Sequence, residues 1–403
     1  IVLATDRLNR IKSVASNEDG SGRAVAEAGV ILSDFQRAVD QKGLLYPPDP
    51  TERGCFLGGT VATNASGART FKYGPTRNYI ERLKLVLASG EILDLRRGDK
   101  FPQIDLPHYR LPATRKNATG YFIALGMDAI DLFIGSEGTL AVICEIEARL
   151  VPKPQGLLSG VVFFAQQADV LSFVANARVA LDARALEFFD NESLIFLREK
   201  YPEIPAGAVG AIFFEQETTD ETEETILNQW IALLDEHHAF ADSWFATNEQ
   251  DQARLREFRH QLPVLMNEWF ARYRQQKVST DMAVPDDAFA ALFRLYQETL
   301  RPSGLRYTIF GHIGDNHVHV NILPRDEDEA ARARELYVRF LKYAASVGGT
   351  LSAEHGVGKL KRDYLRVFYS DDQLREMAAL KKAFDPHGIL GRGNIFAEDF
   401  LDA

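Results

Sequence analysis

The stretch GHIGDNHVHVN, residues 311 to 321, contains three of the nine histidines of the chain. Both of its flanks are rich in β-branched and aromatic residues, and Gly314-Asp315 is a turn signal, so a two-residue hairpin is predicted. In that register His312 faces His317, and His319 lies on the same face of the next pleat. Imidazoles on neighbouring strands can share a metal ion. The alternative is a polar sheet face whose histidines only form hydrogen bonds.

A second informative segment is GCFLGGTVATNASGARTFKYG, residues 54 to 74. The Gly58-Gly59 pair lets backbone approach a ligand without interference from a Cβ atom. Residues 64 to 67 offer small side chains and backbone N–H groups, which suit a pyrophosphate or a flavin ring. GSEGTL, residues 135 to 140, repeats this composition before a predicted strand. A tight structural turn is the alternative, and neither the Rossmann nor the Walker sequence occurs.

The elements that position these segments follow from local patterns. We predict a hairpin over 81–95 with Ser89-Gly90 at its tip, and a helix from Ser33, as N-cap, to about residue 41. IVLAT at the start and KVSTDMAVP later in the chain are predicted strands. A long strand ends at the prolines of VPKP, residues 151 to 154, and marks a domain boundary. Beyond it strands and helices alternate, which predicts an antiparallel sheet covered by helices.

Composition narrows the functional classes. With 403 residues, 46% apolar and 26% charged, the chain has the size and composition of a soluble protein of two or three domains. A formal net charge of −11 argues against nucleic-acid binding and against an anionic membrane surface. Two cysteines are too few for a disulfide framework or an iron–sulfur cluster and fit a reducing, cytoplasmic location. No segment is apolar and long enough for a transmembrane helix.

Seven stretches in order carry a family resemblance: GGTVATNASGARTFKYG, RKNATGY, GSEGTLAVI, STDMAVP, GHIGDNHVHVN, GGTLSAEHGVGKLKR and AFDPHGILGRGNIF. Together they resemble the flavin-dependent D-2-hydroxy-acid dehydrogenases of the vanillyl-alcohol-oxidase superfamily, over essentially the whole chain. The resemblance implies an α+β fold in three segments. Residues 1–152 form an FAD-binding domain, residues 153–365 a cap domain with a large antiparallel sheet covered by helices, and residues 366–403 a segment returning to the FAD domain.

The resemblance also implies site residues. The metal ligands are His312, His319 and Glu354, and His355 is the catalytic base. Asn321 faces the substrate, and Arg259 and Lys277 are the candidates for its carboxylate, because a guanidinium or ammonium complements an anionic acid. The FAD-binding residues are Gly58, Gly59, Thr60, Thr63, Asn64, Ala65, Ser66, Gly67, Tyr73, Ser136, Glu137, Gly138, Thr139, Val142, Ile143 and Asn394.

The sequence departs from the family pattern at four places. The family's pyrophosphate loop of RGGGTS type lies before the position of Ile1, so we expect residues to precede Ile1 and the present chain to bind FAD weakly. The usual GDGNxH is GDNHVH here, so His317 is an additional histidine that the family does not use as a ligand. Ala141 stands where glycine is common, and Gly391 replaces an asparagine expected near the flavin. An iron–sulfur partner would have to be a separate chain.

Three functions remain open at this point. The first is FAD-dependent oxidation of a small D-2-hydroxy acid such as D-lactate, assisted by zinc, manganese or iron, with an electron acceptor that the sequence does not identify. The second is a flavin subunit that works only within a larger oxidase complex. The third is a metal-dependent hydrolase using the histidines and Glu354. A homodimer and peripheral membrane attachment through an iron–sulfur acceptor are further expectations.

Overall fold

The computed structural model describes residues 2–101 and 104–402. Its strands, in chain order, are β1 (Ile11–Ser16), β2 (Gly22–Glu27), β3 (Leu44–Leu45), β4 (Ile80–Val86), β5 (Ile92–Arg96), β6 (Val142–Pro152), β7 (Gly156–Phe164), β8 (Ala183–Asp190), β9 (Gly210–Thr218), β10 (Trp244–Ala246), β11 (Val278–Ser279), β12 (Tyr307–Gly311) and β13 (His319–Ile322).

The chain has eleven α-helices in the described ranges. They are α1 (Leu32–Asp40), α2 (Leu57–Ala62), α3 (Thr70–Tyr73), α4 (Gln167–Ala180), α5 (Asn191–Leu197), α6 (Glu223–Glu236), α7 (Glu249–Tyr273), α8 (Phe289–Leu300), α9 (Glu327–Ser346), α10 (Asp371–Phe384) and α11 (Asp399–Asp402). None of the helices in the described ranges is both long enough and apolar enough to cross a membrane.

The chain divides into two compact units. Unit 1 consists of the residues up to Gly67, Tyr73–Lys153 and the residues from Gly348 onward. Unit 2 consists of Ala68–Lys72 and Pro154–Val347. The change of unit at Lys153 falls at the predicted proline pair, and residues 348–365 are grouped with unit 1. The assignment of separate functional roles to 1–152, 153–365 and 366–403 stays a prediction.

Unit 1 contains an antiparallel sheet in the order β1-β2-β6-β4-β5, with β3 added on β6. One face of β4 and β6 is apolar and fully buried, through residues such as Leu83, Ile146 and Ala148. The opposite face carries carboxylates, because side chains alternate along a strand. Glu145 there accepts hydrogen bonds from Lys12 and, at 2.6 Å, from Arg82. The sheet therefore has one apolar face and one face of cross-strand ion pairs.

Unit 2 contains a seven-stranded sheet in the order β10-β7-β9-β8-β12-β13-β11. Strand β9 shows why both faces are covered. Phe213 belongs to the same apolar cluster as Phe258 and Leu262 of α7. The next residue, Phe214, points to the other face and stacks on Trp230 of α6, with ring centroids 3.6 Å apart. The predicted large antiparallel sheet covered by helices is confirmed.

Several local predictions were wrong. The described residues of IVLAT form no strand; Val2 is 94% exposed, and a turn closes between Leu8 N–H and the carbonyl of Thr5. Helix α1 has Ile31, not Ser33, as its N-cap, and no side chain caps it. Within KVSTDMAVP only Val278–Ser279 are strand, because the chain leaves the ladder after Thr280 pairs with Val320. The hairpin of β4 and β5 is confirmed, with Gly90 at positive φ.

Candidate metal centre and cofactor loops

The histidine hairpin has the predicted register but a different tip. Phe310 of β12 pairs with His319 of β13, which is the alignment that the sequence predicted. The strands stop earlier than predicted, and a 3₁₀ turn, Ile313–Asp315, connects them. The carbonyl of His312 closes this turn by accepting hydrogen bonds from the N–H groups of Asp315 and His317. Asn316 then takes the left-handed conformation, with φ +53°, so the connection is longer than two residues.

Three imidazoles come together within unit 2. The ring centroids of His317 and His319 are 4.5 Å apart, and that of His312 lies 5.5 Å and 5.7 Å from them. One nitrogen of each ring lies within 4.8 Å of a nitrogen of the others. All three side chains are buried. Gly311, at φ +120°, allows this packing, because a Cβ there would meet the ring of His319 at 2.9 Å. The predicted cluster therefore forms and includes His317.

Each of these rings has an oxygen against one nitrogen. His312 Nδ1 lies 2.5 Å from Glu187 Oε1, and His319 Nδ1 lies 3.0 Å from the carbonyl of Thr280. His317 Nε2 lies 3.1 Å from Asp281 Oδ1. For His312 and His319 the acceptor oxygen fixes the N–H on Nδ1 and leaves the lone pair on Nε2. Metal-binding histidines show this arrangement, so the donor set fits a divalent metal.

Glu187 also holds the predicted substrate-binding arginine. It lies on the face of β8 that α7 covers, and its Oε2 accepts hydrogen bonds from Arg259 Nε at 3.1 Å and Nη2 at 3.0 Å. Arg259 Nη1 lies 2.9 Å from His260 Nε2. One buried carboxylate therefore orients both the imidazole of His312 and the guanidinium of Arg259.

The other two predicted substrate residues belong to unit 2 as well. Asn321 is buried on β13, and its Oδ1 accepts a hydrogen bond of 2.9 Å from Ser279 Oγ. Lys277 lies just before β11. Desolvation lowers the pKa of its ammonium group, against the raising effect of Asp281. The polar side chains near the histidines therefore come from β11 and the residues beside it as well as from the hairpin of β12 and β13.

Glu354 and His355 lie in unit 1, in a coil between two residues at positive φ, Gly348 and Gly356. Lys116 Nζ donates a hydrogen bond of 2.7 Å to Glu354 Oε1. The Lys116 side chain is fully buried and that of Glu354 is 9% exposed, so this is a buried ion pair. The imidazole of His355 is exposed. The predicted ligand and the predicted base are adjacent in sequence but differ in environment.

Glu137, predicted to bind the cofactor, fastens this coil. Its two carboxylate oxygens each accept a 2.6 Å hydrogen bond, from the N–H groups of Val357 and Gly358. Burial raises the pKa of Glu137, and these two donors oppose the rise. A Cβ at Gly356 would lie 2.7 Å from the Glu137 carboxylate. In unit 1 the acid therefore connects the GSEGTL segment to the coil that carries His355.

Helix α2 explains the glycine-rich segment and corrects one expectation. The N–H groups of Asn64 and Ala65 bind the carbonyls of Val61 and Thr60. With Asn64 at φ +49°, these two bonds form a Schellman motif that ends the helix. Two of the four N–H groups predicted over residues 64 to 67, those of Asn64 and Ala65, are thus used at the helix end, because the last carbonyls of a helix need partners.

The glycines of these loops differ in what surrounds them. A Cβ at Gly58 would lie 2.6 Å from that of Ala28, and one at Gly67 would lie 2.1 Å from the carbonyl oxygen of Asp49. These two glycines are required by packing within the unit. Around Gly59 and Gly138 a Cβ would meet nothing in the described residues within 4 Å. These two positions leave space for a ligand against the backbone, as a flavin nucleotide requires, so the loops fit FAD.

Most of the other predicted cofactor side chains bond within unit 1. Thr60 and Thr63 donate to backbone carbonyls of α2, Ser136 donates to the carbonyl of Phe133, and Thr139 hydrogen-bonds with Tyr121 at 2.8 Å. Asn394 donates to the carbonyl of Glu137 at 3.2 Å. The remaining predicted residues are the buried Ser66, the nearly buried Ile143, Val142 at the start of β6, and Tyr73 at the end of α3, whose carbonyl accepts from Tyr79.

Sequence reasoning missed Glu187, Asp281, Thr280 and Lys116. All four lie more than 30 positions along the chain from the residues that they contact, so no local sequence pattern links them. Only Asp281 carried a usable signal, since an acidic residue inside the otherwise apolar DMAVP stretch requires a partner when buried.

Comparison with known proteins identifies the family. A family model described as "FAD linked oxidases, C-terminal domain" matches residues 153–395, more than half of the chain, and one described as "FAD binding domain" matches residues 1–96. The chain belongs to the FAD-linked oxidase family. This confirms the resemblance to the flavin-dependent D-2-hydroxy-acid dehydrogenases of the vanillyl-alcohol-oxidase superfamily.

Curated relatives of this FAD-linked oxidase support the same assignment. A glycolate oxidase subunit GlcD from Bacillus subtilis is 31% identical over 99% of this chain and 80% of its own length. A D-lactate dehydrogenase from Archaeoglobus fulgidus and a D-2-hydroxyglutarate dehydrogenase from Stutzerimonas stutzeri are each 30% identical over 98% of this chain and 81% of their own. The chain is therefore an FAD-linked oxidoreductase of the 2-hydroxy-acid dehydrogenase type.

The fold has a solved counterpart. An alkyldihydroxyacetonephosphate synthase structure superposes with a TM-score of 0.62 at 16% identity, covering 96% of this chain and 67% of that one. At this identity the likeness establishes the fold alone. It agrees with the predicted fold class of an FAD-binding part and a part with a large antiparallel sheet.

Proposed function

We propose that this FAD-linked oxidase oxidises a small D-2-hydroxy acid resembling D-lactate to the 2-oxo acid with the help of a divalent metal. The observation that carries the proposal is the pair His312 and His319, buried side by side with Nδ1 of each against an acceptor oxygen, as in metal-binding histidines. The sequence motif adds Glu354 as a third ligand. The names of the relatives support the substrate class.

Each cofactor supplies one part of the chemistry. FAD, when bound, supplies the acceptor for the hydride from the substrate Cα. A divalent metal, when bound by the histidines, supplies a Lewis acid for the hydroxyl and carboxylate oxygens of the substrate, and imidazole with carboxylate suits zinc, manganese or iron.

The side chains of the protein would bind the substrate and accept its hydroxyl proton. Arg259, held by Glu187, presents a guanidinium that can bind the substrate carboxylate, and Lys277 adds a second positive charge in a chain of net charge −11. Asn321 is the proposed hydrogen-bond partner of the substrate. His355 is the proposed base for the hydroxyl proton, since imidazole titrates near neutral pH.

A second candidate function is a flavin subunit that transfers electrons only within a complex. It is favoured by the relative from Bacillus subtilis, whose name describes a subunit. The electron acceptor, an iron–sulfur protein among the candidates, a homodimer, a cytoplasmic location and membrane attachment through the acceptor are further parts of this proposal. Membership of an FAD-linked oxidase family argues against the metal-dependent hydrolase, which no other observation favours.

The experiment is anaerobic flavin reduction by a panel of D- and L-2-hydroxy acids, using the FAD-loaded protein. We expect D-lactate to bleach the flavin absorbance, L-lactate to leave it unchanged, and His312→Ala or His319→Ala to lose metal and orders of magnitude of the reduction rate while retaining FAD. Bleaching that requires an added partner protein would favour the subunit function. Full metal content and near-normal rates in both variants would contradict the metal assignment.

A further inference from the structure

His317 is the residue that the family motif does not account for. It replaces the asparagine of GDGNxH, and it is fully buried in the connection between β12 and β13. The connection is fixed, because Asn316 accepts a hydrogen bond of 3.0 Å from Arg178 and donates one of 2.6 Å to Asp286. The ring of His317 lies next to that of His319, at a centroid distance of 4.5 Å.

The surroundings of His317 match those of the two predicted ligands. All three rings lie in unit 2, are buried, and have one nitrogen within 4.8 Å of a nitrogen of each other. An oxygen also lies near one nitrogen of each ring, and for His317 this is the carboxylate of Asp281, 3.1 Å from Nε2. A carboxylate beside a metal-binding histidine helps to orient the ring.

A purely structural role explains this arrangement less well. Asp281 is 1% exposed and His317 is 0% exposed, so an ion pair between them would bury two charges, for which the desolvation cost can exceed the attraction.

We propose that His317 is a metal ligand, so that unit 2 supplies three imidazoles to the metal. This inference rests on the proposed function, because it assumes that His312 and His319 bind a divalent ion. Its consequence is a change of metal preference. Imidazole suits zinc, copper and iron, whereas oxygen donors suit manganese, so a third imidazole favours Zn²⁺ over Mn²⁺ more strongly than the family's asparagine would.

The test measures metal affinity and not only activity. The metal-free, full-length chain is titrated with Zn²⁺ and with Mn²⁺ in competition with a chelator, and the visible spectrum of its Co²⁺ form is recorded. The variants are His317→Asn, which restores the family pattern, Asp281→Asn and His312→Asn. The control is His237→Asn, since His237 is also buried in unit 2 but bonds Ser172 and Asn176 on α4.

We expect His317→Asn to weaken Zn²⁺ binding by more than about 100-fold, with a smaller effect on Mn²⁺ and an altered Co²⁺ spectrum. Asp281→Asn keeps the ligand but loses its orienting charge, so it should weaken Zn²⁺ binding by about 10- to 100-fold. The control should bind as the wild type does. If thermal unfolding shows that His317→Asn is not folded, Asp281→Asn still tests whether His317 is a metal ligand.

Two outcomes overturn the inference and are distinguishable. Wild-type Zn²⁺ affinity and selectivity in the His317 and Asp281 variants, with binding lost in His312→Asn, would exclude His317 as a ligand and leave the proposed function intact. Unchanged binding in all of the variants, His312→Asn included, would remove the metal from the proposed function and the present inference with it.

Discussion

Replacing Glu187 by glutamine should lower the stability of unit 2 and, separately, remove the carboxylate that orients His312. In the wild type its carboxylate contacts His312 Nδ1 at 2.5 Å and Arg259 Nη2 at 3.0 Å, and the three side chains are 4%, 8% and 14% exposed. Removing one partner of a buried ion pair costs about 3–5 kcal/mol. Because glutamine keeps one acceptor oxygen, we expect a loss near the lower end, about 3 kcal/mol. For a unit of this size that lowers Tm by about 6–12 °C.

The same substitution should weaken metal binding. His312 loses the carboxylate that fixes its tautomer, and such losses reduce metal affinity by about 10- to 100-fold. The assay combines thermal unfolding of the metal-free protein with chelator competition for Zn²⁺. The matched control is Glu215→Gln on β9, whose carboxylate accepts from Arg184 at 2.7 Å with side-chain exposures of 5% and 6%. It breaks a buried pair of the same kind without contacting the histidines.

The two variants should therefore lose comparable stability, while only Glu187→Gln loses Zn²⁺ affinity. Equal Zn²⁺ affinity in both variants would refute the orienting role of Glu187, whatever the change in Tm. If both variants lost affinity to the same degree, the effect would be general loosening of the sheet and the reasoning would also fail.

Three further predictions concern other parts of the chain. Gly58→Ala should destabilise unit 1 by about 1–3 kcal/mol through overpacking, whereas Gly59→Ala should leave stability unchanged within about 1 kcal/mol and weaken FAD retention on gel filtration. Burial raises the pKa of Asp190 from 3.8 to about 7, so the folded state binds its proton more tightly than the unfolded state. Relative to Asp190→Asn, the wild-type free energy of unfolding should fall by about 3 kcal/mol as pH rises from about 4 to about 7. Lys116→Met should cost about 3–5 kcal/mol in urea unfolding, because it leaves Glu354 without its buried cation.

Each of these has a contrary result. Equal stability of the two glycine variants, or normal FAD retention in Gly59→Ala, would contradict the difference in space around the two positions. Parallel pH profiles for the wild type and Asp190→Asn would show that this carboxyl does not titrate as described. The control for Lys116→Met is Lys100→Met, which breaks an exposed pair with Asp128 and should cost less than about 1 kcal/mol. Similar losses in both would rule out a special role for burial.

Hairpins, strand ends and strand register could be predicted from the sequence, because they depend on residues close together in the chain. The hairpin of β4 and β5, the strand that ends at Pro152 and the register in which Phe310 meets His319 all follow from alternation and turn residues. The order of seven motifs likewise determined the family and the flavin, because each motif is local. Strand alternation also placed His312, His317 and His319 on one face, and the short distances between their rings in unit 2 agree with this.

The hydrogen-bond partners of these residues could be found only in the folded structure. Glu187 on β8, Thr280 after β11 and Lys116 in a coil come from distant parts of the chain, so no spacing in the sequence predicts their contacts with His312, His319 or Glu354. The N–H groups of Asn64 and Ala65 were assigned to a ligand because a sequence does not show which carbonyl is within reach, and in the folded chain they bind carbonyls at the end of α2. Local chemistry thus selects the residues of a site, whereas hydrogen bonds between distant segments orient them, because only packing of the strands brings donor and acceptor together.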